Sequence, residues 1–385
     1  MIDFLKEAQE ISGELSEIRK TIHRHPELGN QEFKTSALVE AYLNKLGIET
    51  RRILDTAIIG TLKGGMDGPV AALRADMDAL PVQEATGCSF ASEVPGVMHA
   101  CGHDVHTTAL LGAAKILSSH RQELRGEVRF FFQPDEEERG GARRMIAEGC
   151  MEGVQAVFGA HVDPLISAGS VGIRYGKFYA ASDIYDVTVH GKSAHGATRE
   201  LGIDALGAAT EMVQKLLKLP EQFLPDRSVV TVGVLHSGTA RNILADEAVF
   251  SGILRTLGPD NRKAMKEALI RTIEETSEAW GTRTEIEISP SYGGIVNTDP
   301  ETALAEKTAR NLLGDERVRL ITEPKMISED FGYFVDEAAG CFYHIGAGSS
   351  YPLHSDHFLP AEEVVPVGAA LHAAVVWNYL IQKHE

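Results

Sequence analysis

The stretch that organises this chain is Met98-His99-Ala100-Cys101-Gly102-His103-Asp104-Val105-His106. It brings imidazoles, a thiol and a carboxylate together in one short segment, and all of these side-chain types bind borderline divalent metals. Because a Cys-x-His step can direct a thiolate and an imidazole to one point, Cys101 and His103 are predicted metal ligands. His99 and His106, each taken alone, are better explained as polar residues that are hydrogen-bonded near the start of a helix.

Side chains of the same kind follow short apolar runs elsewhere in the chain. Each of these runs is a predicted strand. The run 70–75 is followed by Asp76 and Asp78, the run 128–132 by Glu136, Glu137 and Glu138, and the run 156–160 by His161. Open α/β sheets place their sites in the crevice outside the carboxyl ends of the strands, so we expect these side chains to meet there. Spacing alone does not choose among the three glutamates. His354, in a distant loop, is explained equally well as a ligand or as a solvent-facing histidine.

Strands alternate with helices over most of the chain, which predicts an α/β domain with a mixed, largely parallel sheet and helices on both faces. The pattern changes near Ser182, where we predict strand 183–190, helix 203–219, strand 228–236, strand 247–256, helix 260–280 and strand 283–289. This β-α-β-β-α-β order is that of the ferredoxin-like split unit. We therefore predict a discontinuous metal-binding domain, residues 1–181 and 295–385, interrupted by an inserted domain at residues 182–294.

The bulk composition is that of a globular protein, since 43% of the 385 residues are hydrophobic and 24% are charged. Lys and Arg number 37 against 55 Asp and Glu, and the formal net charge of -18 argues against nucleic acid and anionic membranes as partners. We see no uninterrupted apolar run long enough to span a bilayer, and the charged first residues do not form a signal peptide. The cysteines are therefore expected to be thiols in the reducing cytoplasm: Cys88, Cys101, Cys150 and Cys341.

The candidate ligands outnumber what one tetrahedral ion needs, which predicts two divalent metals that together activate a water molecule. A thiolate, imidazoles and a carboxylate suit zinc and also accept manganese, cobalt or nickel. Of two adjacent glutamates, one can bind metal while its neighbour takes a proton from the water. A carboxylate beside two cations stays ionised, as such a base must be.

Several of these segments resemble the M20 metallopeptidases, and within them the amidohydrolase branch of bacterial aminoacylases, hippurate hydrolases and plant auxin-conjugate hydrolases. The resemblance covers nearly the whole chain. The motifs that carry it are Arg74–Pro81, Met98–Asp104, Phe132–Glu137, Gly191–His195, Arg241–Asn242, Ser328–Phe331 and Leu353–His354.

This resemblance implies a role for each matching residue of the metal-binding domain. The implied ligands of the two metal ions are Cys101, His103, Glu137, His161 and His354. Glu136 falls on the family's catalytic glutamate, and Asp78 matches an aspartate that supports the ligands from behind.

The inserted domain resembles the family's lid and dimerisation domain. Its histidine, here His195, is implied to reach the site of the partner subunit, and Asn242 matches a lid residue that contacts substrate, also across the dimer. The chain departs from the family pattern at two positions. Arg199 stands where relatives usually carry proline, and Glu138 follows Glu137 where relatives usually carry glycine. Both departures bear on the choice of substrate more than on the chemistry.

The expected protein is a cytoplasmic, homodimeric, two-metal hydrolase that cleaves the amide bond of N-acyl or N-aroyl amino acids. Glu136 would pass the proton to the leaving amine, and His195 would stabilise the oxyanion. One alternative is a dipeptidase or aminopeptidase on the same scaffold, which would require a free amine. The other is a non-catalytic metal-binding dimer, against which Glu136 argues, because a binding protein needs no base beside its ligands.

Overall fold

The computed structural model describes residues 2–224 and 226–382. The chain divides into two compact units: the first takes in the chain up to Gly176, Val296–Glu323 and the chain from Tyr333 onward, and the second takes in Lys177–Ile295 and Pro324–Gly332. The predicted boundaries at 181/182 and 294/295 lie close to two of these divisions. The segment Pro324–Gly332 differs, because the sequence assigned it to the metal-binding domain. It lies in the second unit, where Lys325 N donates to Phe178 O (2.9 Å) and Ala180 N donates to Ile327 O (3.0 Å).

The elements are numbered in chain order. The α-helices are α1 (Phe4–Glu10), α2 (Ser12–Arg24), α3 (Phe33–Lys45), α4 (His103–Ser119), α5 (Gly141–Ala147), α6 (Ala205–Lys218), α7 (Pro259–Trp280), α8 (Asp299–Leu313), α9 (Gly332–Glu337) and α10 (Val364–Gln382). The strands are β1 (Glu49–Ile53), β2 (Ala57–Lys63), β3 (Met66–Asp76), β4 (Arg125–Gln133), β5 (Ala156–Asp163), β6 (Val171–Ile173), β7 (Gly176–Tyr179), β8 (Ala181–His190), β9 (Ser228–Ser237), β10 (Glu247–Thr256), β11 (Arg283–Tyr292), β12 (Ile295–Asn297), β13 (Val318–Leu320) and β14 (Ala339–Gly346).

The first unit is built on a mixed sheet in the strand order β1-β2-β4-β3-β5-β14-β6-β13. Its centre is parallel, because β4, β3, β5 and β14 pair in parallel with one another. In their registers Asp76 lies opposite Gln133, and Gly346 lies opposite Asp163. The carboxyl ends of these strands therefore lie at one edge of the sheet, which confirms the predicted α/β class with a large, mostly parallel sheet.

Helices cover both faces of this sheet. Phe130 and Phe132 of β4 are buried in the core that α4 and α10 share. Phe131, which must point the other way because side chains alternate along a strand, stacks on Phe334 of α9 at a ring-centroid distance of 5.5 Å. The sheet is thus buried on both sides, as parallel sheets generally are.

The apolar helix α10 is the exception to the expectation that no segment could span a bilayer. Its window Val364–Ile381 is long and apolar enough by length and composition, with a mean hydropathy of 1.6. However, 83% of that window is buried within the fold, where α10 packs against α4 and α1. We therefore interpret α10 as the core helix of this unit, since a helix that is hydrophobic on all sides can be buried in protein as well as in lipid.

The second unit has an antiparallel sheet in the order β11-β8-β10-β9, with α6 and α7 against one face. Alternate residues of β8, namely Tyr185, Val187 and Val189, are buried against these helices, and the residues between them are more exposed. This alternation is typical of an antiparallel sheet with one face on the core. β9 lies at the edge of the sheet and pairs with β10 alone among the described strands.

Candidate metal centre

The carboxyl edge of the central sheet collects the predicted ligands, the supporting Asp78 and the predicted base Glu136. They come from separate connections: Asp78 after β3, Glu136 and Glu137 after β4, His161 within β5, His354 after β14, and Cys101 and His103 at the start of α4. Gly102 permits the turn into α4. Its φ is 90°, which favours glycine, and a Cβ there would lie 2.5 Å from Val162 Cγ2, so another residue would also force Val162 to move.

Cys101 and His161 face each other in this cluster, with Sγ 3.3 Å from Nε2. His161 Nδ1 lies 2.8 Å from the carbonyl oxygen of Val162. A carbonyl only accepts, so the ring carries its proton on Nδ1 and directs the lone pair of Nε2 at the thiol. Burial lowers the pKa of His161 well below its ordinary value. The ring is therefore neutral at pH 7, the form that binds metals.

His103 is oriented in the same way by a carboxylate. Its Nδ1 lies 3.2 Å from Asp78 Oδ1, while Asp78 Oδ2 accepts a hydrogen bond of 3.0 Å from the backbone N–H of Glu137. Asp78 thus positions an imidazole and the glutamate loop together. Burial lowers the pKa of His103, but the carboxylates of Asp76, Asp78 and Glu137 outweigh this effect and raise it to about 10.

Glu137 and His354 complete the cluster. Glu137 Oε1 lies 3.3 Å from His354 Nε2 and 3.9 Å from His103 Nε2. His354 has a positive φ of 65°, which non-glycine residues rarely adopt, and its N–H donates to Ala100 O at 2.8 Å. This backbone bond fixes the loop after β14 to the segment that carries Cys101. The solvent-facing interpretation of His354 is incomplete, because the half-exposed ring contacts Glu137.

The structure separates the three glutamates that spacing alone could not distinguish. Glu136 is buried and Glu138 is exposed. Candidate ligand atoms of Glu136, Glu137 and His103 lie within 4.8 Å of one another. Burial, with the nearby Glu137 and Glu136, raises the pKa of the Cys101 thiol well above its ordinary value. Without a cation, these negatively charged groups would repel one another.

The donor set fits divalent metal ions. The ligand atoms of Cys101, His103 and His161 lie within 4.8 Å of one another, and so do those of Cys101, Glu137 and His354. In addition, His103 Nε2 is buried and has no hydrogen-bond partner among the described residues. A buried ring nitrogen without a hydrogen-bond partner is costly unless something else satisfies it. A cation between thiol, imidazole and carboxylate would satisfy this atom and reverse the charge imbalance.

The other two histidines of the motif behave differently from each other. His106 is satisfied as predicted: Nδ1 lies 2.6 Å from Asp76 Oδ1, and Nε2 accepts a hydrogen bond from Val162 N at 2.9 Å. The same interpretation is wrong for His99. It is buried, neither ring nitrogen has a hydrogen-bond partner among the described residues, and burial lowers its pKa to about 3.

A buried ion network behind α4 was not predicted from the sequence. Asp104 Oδ2 accepts from Arg19 Nε at 3.1 Å and lies 3.0 Å from His23 Nδ1, whose Nε2 lies 3.3 Å from Glu84 Oε1. These residues lie far apart in the chain, so no local spacing signals them. Together they anchor the first turn of α4, which begins at His103, to α2.

His195 and Asn242 lie in the second unit, where the structure brings them close together. Gly196 N donates to Asn242 O at 2.8 Å, and His195 pairs with Ile243 in an antiparallel bridge. His195 is exposed, and its Nδ1 accepts a hydrogen bond from Ala197 N at 3.1 Å. In the neutral ring the proton must then lie on Nε2, which can donate it.

An α/β sheet whose strand ends gather thiol, imidazole and carboxylate ligands around a buried glutamate is the architecture of a metal-dependent hydrolase. Residues 72–378 match peptidase family M20/M25/M40, and the chain belongs to this family. The match confirms the resemblance inferred from the motifs. The chain is accordingly a hydrolase of amide bonds.

Similar proteins cover almost the full chain. A thermostable carboxypeptidase from Saccharolobus solfataricus is 36% identical over 391 residues, covering 98% of this chain and 99% of the relative. An N-acetylcysteine deacetylase from Bacillus subtilis is 34% identical over 363 residues, covering 93% and 95%. The crystal structure of the YxeP protein of Bacillus subtilis, a dinuclear metal-binding peptidase of the M20 family, superposes with a TM-score of 0.87 at 32% identity, covering 97% and 99%.

The buried network makes stability depend on pH through His23. Burial lowers its pKa, but Asp104 and Glu84 outweigh this and raise it from 6.5 to about 9. Protonated His23 therefore stabilises the folded state. This contribution is fully present below pH 6.5 and is lost as pH rises through 9. We expect His23 to contribute a fall of about 3 kcal/mol in the free energy of unfolding over this range, a contribution that His23→Asn lacks.

Urea unfolding of both proteins at intervals from pH 6 to pH 10 measures this difference. His25→Asn is the matched control, because His25 lies next to the same helix with a partly exposed ring and should keep the pH dependence. Equal pH dependence in the unaltered protein and in His23→Asn would contradict the role given to the network.

Proposed function

We propose that this protein is a two-metal amidohydrolase that cleaves the bond between an acyl group and the nitrogen of an amino acid. The observation that carries the proposal is the ligand cluster around buried Glu136 in a chain of the M20 family. The relatives support the substrate class. The names carboxypeptidase and N-acetylcysteine deacetylase both describe reactions that free an amino acid from an acyl group.

The proposed ligands form two groups that share one member. Cys101, His103 and His161 would hold one ion, and Cys101, Glu137 and His354 the other, so Cys101 would contact both. Zinc or manganese suits these donors, and cobalt or nickel is also accepted. When bound, the metals supply polarisation of the amide carbonyl and a lowered pKa for the attacking water.

The protein groups then have separate tasks. Glu136 is the proposed base, because it is buried beside the cluster and accepts a proton that it can pass on to the leaving amine. Asp78 holds His103 and the Glu137 backbone in place. Residues of this kind commonly matter for metal affinity as much as the ligands do.

We assign the second unit as a lid and dimerisation domain of ferredoxin-like topology. Its element order β8-α6-β9-β10-α7-β11 and the sheet order with β9 at the edge support this assignment. His195 would donate its Nε2 proton to the oxyanion, and Asn242 would contact the substrate. The exposed edge of β9, with Val234 and Leu235 at 45% and 39% exposure, is the proposed contact with a second subunit in a cytoplasmic homodimer.

The first test separates the base from the ligand. We expect Glu136→Gln to keep its metal while turnover falls by about 10²- to 10⁴-fold, because an amide cannot accept the proton. Glu137→Gln should instead lose metal. Metal analysis and hydrolysis of N-acetyl, N-benzoyl and free dipeptide substrates measure both effects, and Glu138→Gln, with its exposed side chain, should keep its metal. If Glu136→Gln lost metal and Glu137→Gln lost only turnover, the roles of base and ligand would be exchanged. Cleavage of free dipeptides alone would favour the dipeptidase.

The second test concerns the thiol. Cys101→Ser should lower metal content and activity together, because a thiolate binds borderline metals much better than a hydroxyl does. Cys88→Ser is the matched control and should change neither. The amount of bound metal per chain, measured after reconstitution with zinc or manganese, decides the point. Full occupancy in Cys101→Ser would remove Cys101 from the proposed site.

The third test asks whether each lid serves the other subunit. Homodimers of Glu136→Gln and of His195→Ala should each be nearly inactive. In a mixed dimer, the His195→Ala subunit keeps Glu136 and receives His195 from its partner, so one of the two sites is restored. Unfolding and refolding the two variants together should therefore recover activity. No recovery, with heterodimers confirmed by differently tagged subunits, would show that His195 does not act across the dimer.

A further inference from the structure

Glu32 is a buried carboxylate that the proposed mechanism does not use. It has no exposed surface, and it lies immediately before α3, remote in sequence from every proposed ligand. The groups that contact its carboxylate oxygens are hydrogen-bond donors. Oε1 accepts from the backbone N–H groups of Asn30 (3.0 Å) and Asp135 (2.9 Å), and Oε2 accepts from Thr56 Oγ1 (2.8 Å).

Asp135 is the residue that turns the chain from β4 into Glu136 and Glu137. Its φ is 55°, in the left-handed region that a non-glycine residue rarely adopts. Such conformations cost about 1 to 3 kcal/mol and persist only where the surroundings impose them. The direction in which Glu136 and Glu137 leave the sheet therefore depends on what holds Asp135.

Besides local hydrogen bonds from Arg139, Gly141 and Arg144, Asp135 is held by contacts from the segment that contains Glu32. Asn30 Nδ2 donates to Asp135 Oδ2, and Asn30 is itself left-handed with a φ of 62°. At Gly29, a Cβ would lie 2.3 Å from Asp135 Oδ1 and 3.2 Å from Asp135 Cα, so the two backbones approach as closely as glycine allows. Glu32 joins both left-handed residues, because a single oxygen accepts from both of their N–H groups.

We propose that Glu32 is a positioning residue for the catalytic site: it holds Asp135 in its left-handed conformation and thereby sets the directions of Glu136 and Glu137. This inference rests on the proposed function for the roles of those two glutamates. Glu32 acts as a hydrogen-bond acceptor, so its shape and its oxygen matter, and its charge does not. Burial raises the pKa of Glu32 to about 7 although its hydrogen-bond donors lower it, so part of the carboxyl group is neutral near pH 7.

The test compares three substitutions of Glu32. Glu32→Ala removes the acceptor and should weaken metal binding and lower kcat, each by about 10- to 100-fold, the usual effect of losing a group that orients a ligand. Glu32→Asp is one methylene too short to reach both N–H groups and should show the same losses in smaller measure. Glu32→Gln keeps an oxygen in place and should restore both properties close to the unaltered values. If Glu32→Ala does not fold, Glu32→Asp and Glu32→Gln carry the comparison.

Glu27→Ala is the matched control. Glu27 is also a carboxylate that accepts several hydrogen bonds, from Lys34 N, Thr35 N and Thr35 Oγ1, but these belong to the start of α3 and not to the Asp135 loop. Its loss should lower the melting temperature while leaving kcat and metal affinity unchanged. A merely structural role for Glu32 would give Glu32→Ala the same result as Glu27→Ala.

Metal affinity is measured by competition with a chelator for Zn²⁺ or Mn²⁺, separately from kcat and KM on N-acetyl and N-benzoyl amino acids. If the unaltered protein hydrolyses none of these substrates, the proposed function fails, while chelator competition still tests Glu32. Unchanged metal affinity in Glu32→Ala and Glu32→Asp would overturn the positioning role. A Glu32→Gln variant as impaired as Glu32→Ala would also overturn it, because the charge would then be what matters.

Discussion

The burial of charge at the carboxyl edge of the central sheet is the constraint on which the rest of this structure depends. Asp76, Asp78, His103 and Glu136 are all nearly or fully buried there. Removing such groups from water costs several kcal/mol for each ion unless each is paired or binds a metal. The parallel alignment of β4, β3, β5 and β14 directs the ends of all four strands to one edge. The charged residues that follow these strands are therefore buried close together and need compensating partners.

The hydrogen-bond partners that stabilise these buried groups also orient the metal ligands. His161 donates its Nδ1 proton to the Val162 carbonyl, and His103 donates its Nδ1 proton to Asp78, so both rings direct Nε2 at the cluster. His106 also carries its proton on Nδ1, but its Nε2 accepts from a backbone N–H and cannot also bind metal. Three imidazoles within a few ångströms are thus distinguished by their hydrogen bonds. Sequence spacing cannot show this distinction.

Much of the architecture was nevertheless predictable from the sequence. The β-α-β-β-α-β pattern after Ser182 predicted β10 at 247–256 with the observed bounds, and the motifs placed the proposed ligands at strand ends. The failures concern partners that are distant in the chain. The assignment of Pro324–Gly332, the unsatisfied His99 and the Arg19–Asp104–His23 network each depend on contacts between separate segments. A single sequence carries no periodic signal for such contacts, and Glu32 resembles any other glutamate before a helix.

The site also shows how a fold with regular elements holds irregular backbone where chemistry needs it. Asp135 and His354 both have positive φ and both adjoin or contribute proposed functional groups. A strand or helix cannot hold a residue in that conformation, so each is held by a contact from another segment: Asp135 by Glu32 and Asn30, and His354 by the carbonyl of Ala100. These hydrogen bonds therefore offset the free-energy cost of the two left-handed conformations, and they also fix the loops relative to each other. A substitution remote from the metals can consequently change their coordination without touching a ligand.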